Sequence, residues 1–519
     1  MRQPLLILGL VIAGGSVAAL PAEISADGIL RHVKFLSADE LRGRGNGTEG
    51  LERAADYVTE QFRSAGLEPG GRDGGWSQPF ELIAGLTVGT ENQLTFQSSA
   101  GRRVSLSLGE TYFPLGAPAN EDATRASTRL DGLPVVFAGY GLSAPAAGYD
   151  DYAGVDVSGK AVLIFSHEPQ ERDRNSRLNG SQPMAQTTIG GKAAAALNRG
   201  ARVLIVVGDP SHPVDGADYA MFGRDPDAED TAIPVLRARR AEMAPLLDAF
   251  GLDRLASEID ADLRPRSQAL AGLTVDYVEH LAKNRRTVRN IVGVLPGSDR
   301  SKASEAVVVG AHYDHVGLGG RLSVSPERAE IHNGADDNAS GTAAIIEMAR
   351  AARQDRARFP RTLVFVAFAG EERGLLGSAF YALEPALPIA RTIGMLNLDM
   401  VGRANGSVDI SGLETSPSME ADLRAAQDAA GVRLTVKRQG PGAGRSDDSS
   451  FINRGVPAIN FFTGFHADYH RPGDDWEKVD ADGTARIAAL ALELAARLAA
   501  RPERPEFITP PPGAATSRP

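Results

Sequence analysis

The chain contains no cysteine among its 519 residues. That absence excludes disulfide bonds, cysteine nucleophiles, thiolate zinc sites and a lipid-modified cysteine of the lipoprotein type. Any metal ion must therefore be held by histidine, aspartate and glutamate side chains.

Basic residues are outnumbered by acidic ones, 55 Lys and Arg against 66 Asp and Glu, for a formal net charge of -11. Because nucleic-acid binding depends on a basic surface, this balance argues against nucleic acid as the main partner. The hydrophobic content of 42% and the charged content of 23% are typical of a soluble globular protein. The length favours two domains with tails.

A hydrophobic run lies at the N terminus. Arg2 precedes an apolar stretch over residues 5–20, and Ala18, Ala19 and Ala22 are small residues suited to cleavage. Since a membrane span needs about 20 apolar residues, this shorter run favours a cleaved signal peptide at 1–22 over a membrane anchor. We therefore expect an exported protein, periplasmic or secreted, with no stable membrane span after cleavage.

The pattern of apolar and turn-forming residues changes along the chain. We predict a separate, non-catalytic, β-rich domain at 115–268, inserted between the two parts of another domain at 23–114 and 269–500. The alternative is that residues 115–268 continue the sheet of the surrounding domain. Residues 501–519 are predicted to be a loosely ordered, proline-rich tail. The inserted stretch has short apolar runs at 135–137, 161–165 and 203–207, a helix at 192–197, and two isolated histidines, His167 and His212.

The remaining part repeats a strand, a loop and a helix. This alternation predicts an α/β fold in which helices cover both faces of one sheet. The predicted strands are 306–309, 363–368, 393–398 and 458–462, and the predicted helices are 339–353 and 484–500.

Potential ligands follow these strands at the ends where functional groups collect in such sheets. Charged side chains at the end of a buried strand are costly unless they are paired or bound to a metal. The segment therefore predicts a metal site. The candidate ligands are His312, Asp336, Glu372, Asp399 and His470, with Glu371 beside them.

Charge counting favours two divalent ions. Three carboxylates and a hydroxide balance two doubly charged cations, and a poorly hydrated cleft favours a neutral centre. Histidine and carboxylate ligands suit zinc, with manganese or cobalt as weaker possibilities.

Several motifs together resemble the co-catalytic di-zinc aminopeptidases of the bacterial leucyl aminopeptidase type. That family implies a zinc-peptidase fold, with a mixed, mostly parallel sheet flanked by helices. The inserted stretch, with Gly139-Tyr140-Gly141, Asp150-Asp151-Tyr152 and Gly159-Lys160, resembles a protease-associated domain. The motifs of the main domain are His312-Tyr313-Asp314-His315, the segment 334–341, Glu371-Glu372-Arg373-Gly374-Leu375-Leu376-Gly377-Ser378, Asn397-Leu398-Asp399-Met400 and Asp468-Tyr469-His470 with Pro472 and Asp474-Asp475.

The resemblance implies a role for each ligand. Asp336 would bridge two Zn2+ ions, and the Asp336–Asp337 peptide would be cis. Asp314 would orient His312 as metal-bound imidazoles require. The implied ligand pairs are His312 with Asp399 for one ion and Glu372 with His470 for the other.

The resemblance also implies the reaction. A metal-bridging hydroxide would attack the scissile carbonyl of a peptide or protein substrate, and Glu371 would act as the general base. Arg445 could hydrogen-bond the substrate, and an exposed structural role for it is equally open. Asp448 stands where the family more often has a histidine, which weakens any role assigned to that position.

Alternatives stay open. A glutaminyl-peptide cyclase-like zinc acyltransferase shares the implied fold but typically uses one metal, and a carboxypeptidase could be built on the same fold. A binding protein that lost catalysis would lack ligands, and none is missing. His315, His332 and His466 lie near the ligands in sequence but outside the predicted set.

Overall fold

The structure is a computed structural model, and it describes residues 24–509 except 119–120, 123, 172, 174, 179–188, 211–228, 231, 325–329, 431–433 and 439–445. The predicted signal peptide, His212 and Arg445 lie outside the described residues. Among the residues that are described, no helix combines the length and the apolar character needed to cross a membrane.

A nine-stranded mixed sheet contains the strands predicted to carry the ligands. Its four central strands run parallel, and antiparallel strands flank them on both sides. The spatial order is Glu68–Pro69, Leu281–Leu295, Thr362–Phe368, Ala306–His312, Thr392–Leu398, Ala458–Phe462, Ser407–Ser411 and Thr435–Arg438, with Ser77–Val88 paired to Leu281–Leu295.

The three innermost strands are buried along their whole length. Continuous apolar runs of this kind form where helices cover both faces of a parallel sheet. Helices Ala26–Leu36, Gly341–Gln354 and Ala481–Ala500 contribute to the hydrophobic core on one face. Tyr381 and Phe451, from two shorter helices, pack on the other face, so the α/β prediction is confirmed.

The structure contains more helices, among the described residues, than the sequence predicted. They are Ala26–Leu36, Glu49–Ser64, Ile189–Leu197, Arg240–Ala249, Leu252–Asp262, Gly341–Gln354, Leu376–Leu383, Met419–Ala430, Asp448–Ile452 and Ala481–Ala500.

The predicted insert lies in a second nine-stranded sheet with its own hydrophobic core. This sheet runs from Gln93 to Glu279, past both predicted bounds, because Gln93–Ser98 pairs with Gln268–Glu279. The strands of the insert therefore do not continue the first sheet. The strands, in spatial order, are Glu229–Asp230, Tyr112–Ala117, Val235–Ala238, Val203–Val207, Ala161–Phe165, Thr128–Phe137, Gln268–Glu279, Gln93–Ser98 and Arg103–Leu106, and a separate pair is Ser143–Ala144 with Tyr149–Asp150.

Candidate metal centre

Two groups of buried ligand atoms meet at the carboxyl ends of the central parallel strands. Within each group the ligand atoms all lie within 4.8 Å of one another. Both groups contain Asp337. One consists of His312, Asp337 and Asp399, and the other of His315, Asp337, Glu372 and His470.

Asp337 lies between the two groups with one oxygen directed to each. Its Oδ1 is 3.3 Å from Nε2 of His312, and its Oδ2 is 3.2 Å from Nε2 of His470. Asp399 Oδ1 is 3.2 Å from the same nitrogen of His312, and Glu372 Oε2 is 3.2 Å from that of His470. This is the arrangement of a carboxylate that bridges two cations.

The sequence prediction placed Asp336 in that position, and the structure places it elsewhere. Its Oδ1 accepts hydrogen bonds from the Gly402 amide at 2.6 Å and the Ser340 hydroxyl at 3.1 Å. The backbone departs from helical geometry at Asp337, with φ -103° and ψ 97°, so the two neighbouring carboxylates point to different surroundings. The cis peptide is likewise Asp337–Asn338 rather than Asp336–Asp337.

Burial and the neighbouring carboxylates have opposite effects on the pKa values of the histidines in this centre. Burial alone would lower the pKa of His312, but the carboxylates of Asp399 and Glu371 raise it well above its usual value. Burial likewise opposes protonation of His470, yet Glu372 and Asp337 raise its pKa to about 11. The centre thus has a strong excess of negative charge that favours a cation.

Asp314 positions the ligands. Its carboxylate oxygens accept hydrogen bonds from the backbone amides of Glu371 at 3.2 Å and Glu372 at 3.3 Å. Its Oδ1 is 3.7 Å from Nδ1 of His312, which is 3.2 Å from the Asp314 carbonyl. Asp314 therefore positions the imidazole through its carbonyl and the strand-end glutamates through its carboxylate.

Asp474 and Arg44 position the bridging segment, and sequence analysis assigned a role to neither. Asp474 Oδ2 accepts from the amides of Asp336 at 2.9 Å and Asp337 at 3.0 Å. The fully buried Arg44 donates to the Gly334 carbonyl at 2.9 Å and to that of Tyr313 at 2.8 Å. An arginine with 0% exposure could be recognised as structural only after the fold was known.

The three neighbouring histidines occupy different surroundings. His315 was predicted to be outside the ligand set, yet its Nδ1 lies 2.8 Å from Glu372 Oε1. His466 Nε2 is 3.1 Å from Asp336 Oδ2. His332 Nε2 is 2.8 Å from the Ser323 hydroxyl, apart from both groups.

Glu371 belongs to neither ligand group, although it follows the same strand as Glu372. It is 7% exposed, and its charge contributes to the raised pKa of His312. A buried carboxylate that is not a ligand can exchange a proton with a bound reactant.

The donor set fits zinc. Imidazole Nε2 atoms and carboxylate oxygens are the ligands that zinc accepts in the absence of thiolates. Each group holds at least three such donors, and Asp337 supplies one oxygen to each. The residues therefore fit a pair of metal ions that share one carboxylate.

Comparison with known proteins identifies the segment that carries this centre. Residues 290–495 match the model of Peptidase family M28. Leupeptin-inactivating enzyme 1 of Streptomyces exfoliatus is 29% identical over 209 residues, which cover 40% of this chain and 42% of that protein. Leucine aminopeptidase 1 of Arthroderma otae is 37% identical over 152 residues, which cover 28% of this chain and 38% of that protein. The chain thus spans less than half the length of these two relatives.

Solved structures share the fold over nearly the whole chain. The aminopeptidase of an Aneurinibacillus strain superposes with a TM-score of 0.57 at 23% identity, covering 94% of this chain and 97% of that one. A zinc aminopeptidase of Bacillus subtilis gives a TM-score of 0.53 at 21% identity, covering 92% and 95%. The two-sheet architecture is therefore a recurrent one.

Proposed function

We propose that this chain, which carries a Peptidase family M28 segment at residues 290–495, is an exported zinc-dependent aminopeptidase. The observation that carries the proposal is the position of Asp337 between two groups of histidine and carboxylate ligands. The matched relatives include leucine aminopeptidases, which supports peptide hydrolysis from the N terminus. The proposal of export depends on the apolar run at residues 5–20.

The chemistry divides between the metal pair and the chain. Zinc held by His312, Asp337, Asp399, Glu372 and His470 would supply a Lewis acid for the scissile carbonyl and would lower the pKa of water toward about 7. Glu371 accepts a proton from the attacking water and returns it to the amine as the C–N bond breaks. Asp314 holds the amides of Glu371 and Glu372 in position, so the base and the ligand next to it are fixed together.

The surroundings of His470 support an apolar first residue in the substrate. Tyr469 stacks on His470 with ring centroids 3.9 Å apart, and Phe465 packs edge-on against Tyr469 at 4.8 Å. Phe465 is 52% exposed despite its size. Exposed aromatic surface beside a candidate centre is suited to bind an apolar side chain.

The test is hydrolysis of a matched peptide panel with and without a chelator. Leucyl peptides with a free amine should be cleaved, and their N-acetylated counterparts should not. Removal of zinc should abolish cleavage, and returning about two equivalents per chain should restore it. Cleavage of acetylated peptides from the C terminus would favour a carboxypeptidase, and chelator-insensitive cleavage would remove the zinc mechanism.

A further inference from the structure

A cavity of ≈ 580 Å³ adjoins the candidate metal centre. Its walls come from the 42–50 loop, the strand pair around residues 84 and 284–286, and the 315–322 segment. Three of its lining residues hydrogen-bond to residues of the centre, so the cavity is separated from the proposed ligands by a single layer of side chains and backbone. The contacts are His315 with Glu372 at 2.8 Å, the Leu322 carbonyl with His470 at 2.6 Å, and Asn46 with Asp314 at 2.6 Å.

The lining of this cavity is cationic, in contrast to the acidic chain as a whole. Arg42, Arg286 and Arg373 line it, and Glu49 is the one acidic residue among the described lining residues. Within the described part of the chain, neither Arg42 nor Arg286 forms an ion pair with a carboxylate. Guanidinium groups without a protein counter-charge favour an anionic ligand.

Local backbone geometry directs two of these arginines. The ladder between Ser77–Val88 and Leu281–Leu295 is interrupted by a register shift at Asn284/Arg285, and irregularities of this type re-aim side chains. Arg373 donates to the Ala84 carbonyl at 3.2 Å. A Cβ on Gly47 would lie 2.6 Å from Cγ of Arg286, so only glycine allows the arginine stem this path.

We propose that these arginines bind a carboxylate of the substrate beyond the scissile bond, which makes carboxylate-bearing short peptides the preferred substrates. This inference rests on the proposed aminopeptidase function. The free amine of such a substrate is positively charged, and a cavity lined by arginines repels it. The arginines instead attract the part of the substrate that carries a carboxylate.

The size of the cavity suits a short peptide. A sphere of this volume is about 10 Å across, which is the length of about three extended residues. The carboxylate can be the C-terminal group of a tripeptide or the side chain of an acidic residue. Both present the same planar anion to a guanidinium group.

The experiment compares kcat/KM for two substrate pairs. The first pair is Leu-Gly-Gly and its C-terminal amide, and the second is the amides of Leu-Asp-Gly and Leu-Asn-Gly. We expect the wild-type protein to prefer the carboxylate in at least one pair by about tenfold or more, mainly through KM, because a hydrogen bond to a charged group contributes that much. The pair that responds identifies the source of the carboxylate.

Two variants of adjacent residues make the test specific. Arg286→Gln should reduce the preference by about tenfold. Arg285→Gln is the matched control, because successive strand residues point to opposite faces and Arg285 pairs with Glu121 at 2.9 Å instead of lining the cavity. The control should keep the wild-type preference, and thermal melting should show both variants folded.

The outcomes separate this inference from the proposed function. Equal cleavage of both members of both pairs by the wild-type protein would overturn the carboxylate site and leave the aminopeptidase intact. An unchanged preference in Arg286→Gln would also overturn it. Failure to cleave any of the four peptides would overturn the aminopeptidase and the carboxylate site with it.

Discussion

Both sheets place charged side chains at the carboxyl ends of parallel strands, but they neutralise them differently. In the second sheet, His167 Nδ1 lies 2.7 Å from Asp209 Oδ2. Lys192, with 0% exposure, donates to the carbonyls of Phe165 and His167. Burial lowers the pKa of Lys192 to about 8, although nearby carboxylates favour its charge. The second sheet therefore contains its own buried cation.

In the described part of the first sheet, the ligand carboxylates face histidine rings, and the buried guanidinium of Arg44 donates to backbone carbonyls instead. Asp337, Asp399 and Glu372 approach imidazole Nε2 atoms at 3.2–3.3 Å, the atoms that would coordinate a metal. The comparison shows that strand-end position alone does not define a metal site. What distinguishes the first sheet, among the described residues, is that several imidazole and carboxylate ligand atoms lie within 4.8 Å of one another.

The largest expected effect comes from removing the shared carboxylate of the first sheet. Asp337→Asn should lose both bound zinc and all measurable hydrolysis, because each ligand group loses a donor. Asp336→Asn is the matched control, and it should keep zinc while losing thermal stability. Metal analysis and hydrolysis of a leucyl substrate measure both. Zinc retained by Asp337→Asn and lost by Asp336→Asn would reverse the assignment.

A smaller effect separates the base from the ligands. Glu371→Gln should keep zinc but lower kcat by about 10²–10⁴-fold, the usual contribution of a general acid-base group. Glu372→Gln should instead reduce zinc content, because Glu372 lies in a ligand group. Equal zinc loss in the two variants would contradict the division of roles between these neighbours.

The smallest effect tests the internal cation of the second sheet. Lys192→Met should lower the free energy of unfolding by about 1–3 kcal/mol, because the carbonyls of Phe165 and His167 lose their buried donor. Its zinc content should remain that of the wild-type protein. Calorimetry and metal analysis provide the two readouts. Unchanged stability would show that the second sheet does not depend on Lys192.

Sequence reasoning predicted the ligand-bearing sheet well because its signals are strong and local. The strand 458–462 and the helix starting near 339 were expected from apolar runs and periodicity, and the structure has Ala458–Phe462 and Gly341–Gln354. Motif residues placed at strand ends, such as His312 and Asp399, meet in space as expected. Parallel strands bring their carboxyl ends to one edge of the sheet. The order of strands and motifs along the chain was therefore sufficient to predict that these residues meet.

The order of residues in the sequence could not show which of two adjacent aspartates faces the other ligands. Asp336 and Asp337 differ only in backbone direction, and that direction depends on contacts made across the fold. Arg44 and Asp474 provide those contacts from opposite ends of the chain. The ligand position of His315 was missed for the same reason, since its ring orientation is fixed by tertiary packing.

The two hydrogen bonds that Asp474 accepts from the amides of Asp336 and Asp337 have a consequence for biosynthesis. A growing polypeptide that ends before residue 474 lacks this clamp, and one that ends before residue 470 also lacks a ligand. The ligand set that we propose would then be complete only after residues 470 and 474 have been synthesised. Because helix Ala481–Ala500 also belongs to the hydrophobic core of the first sheet, the core and the ligand set are completed by the same late part of the chain.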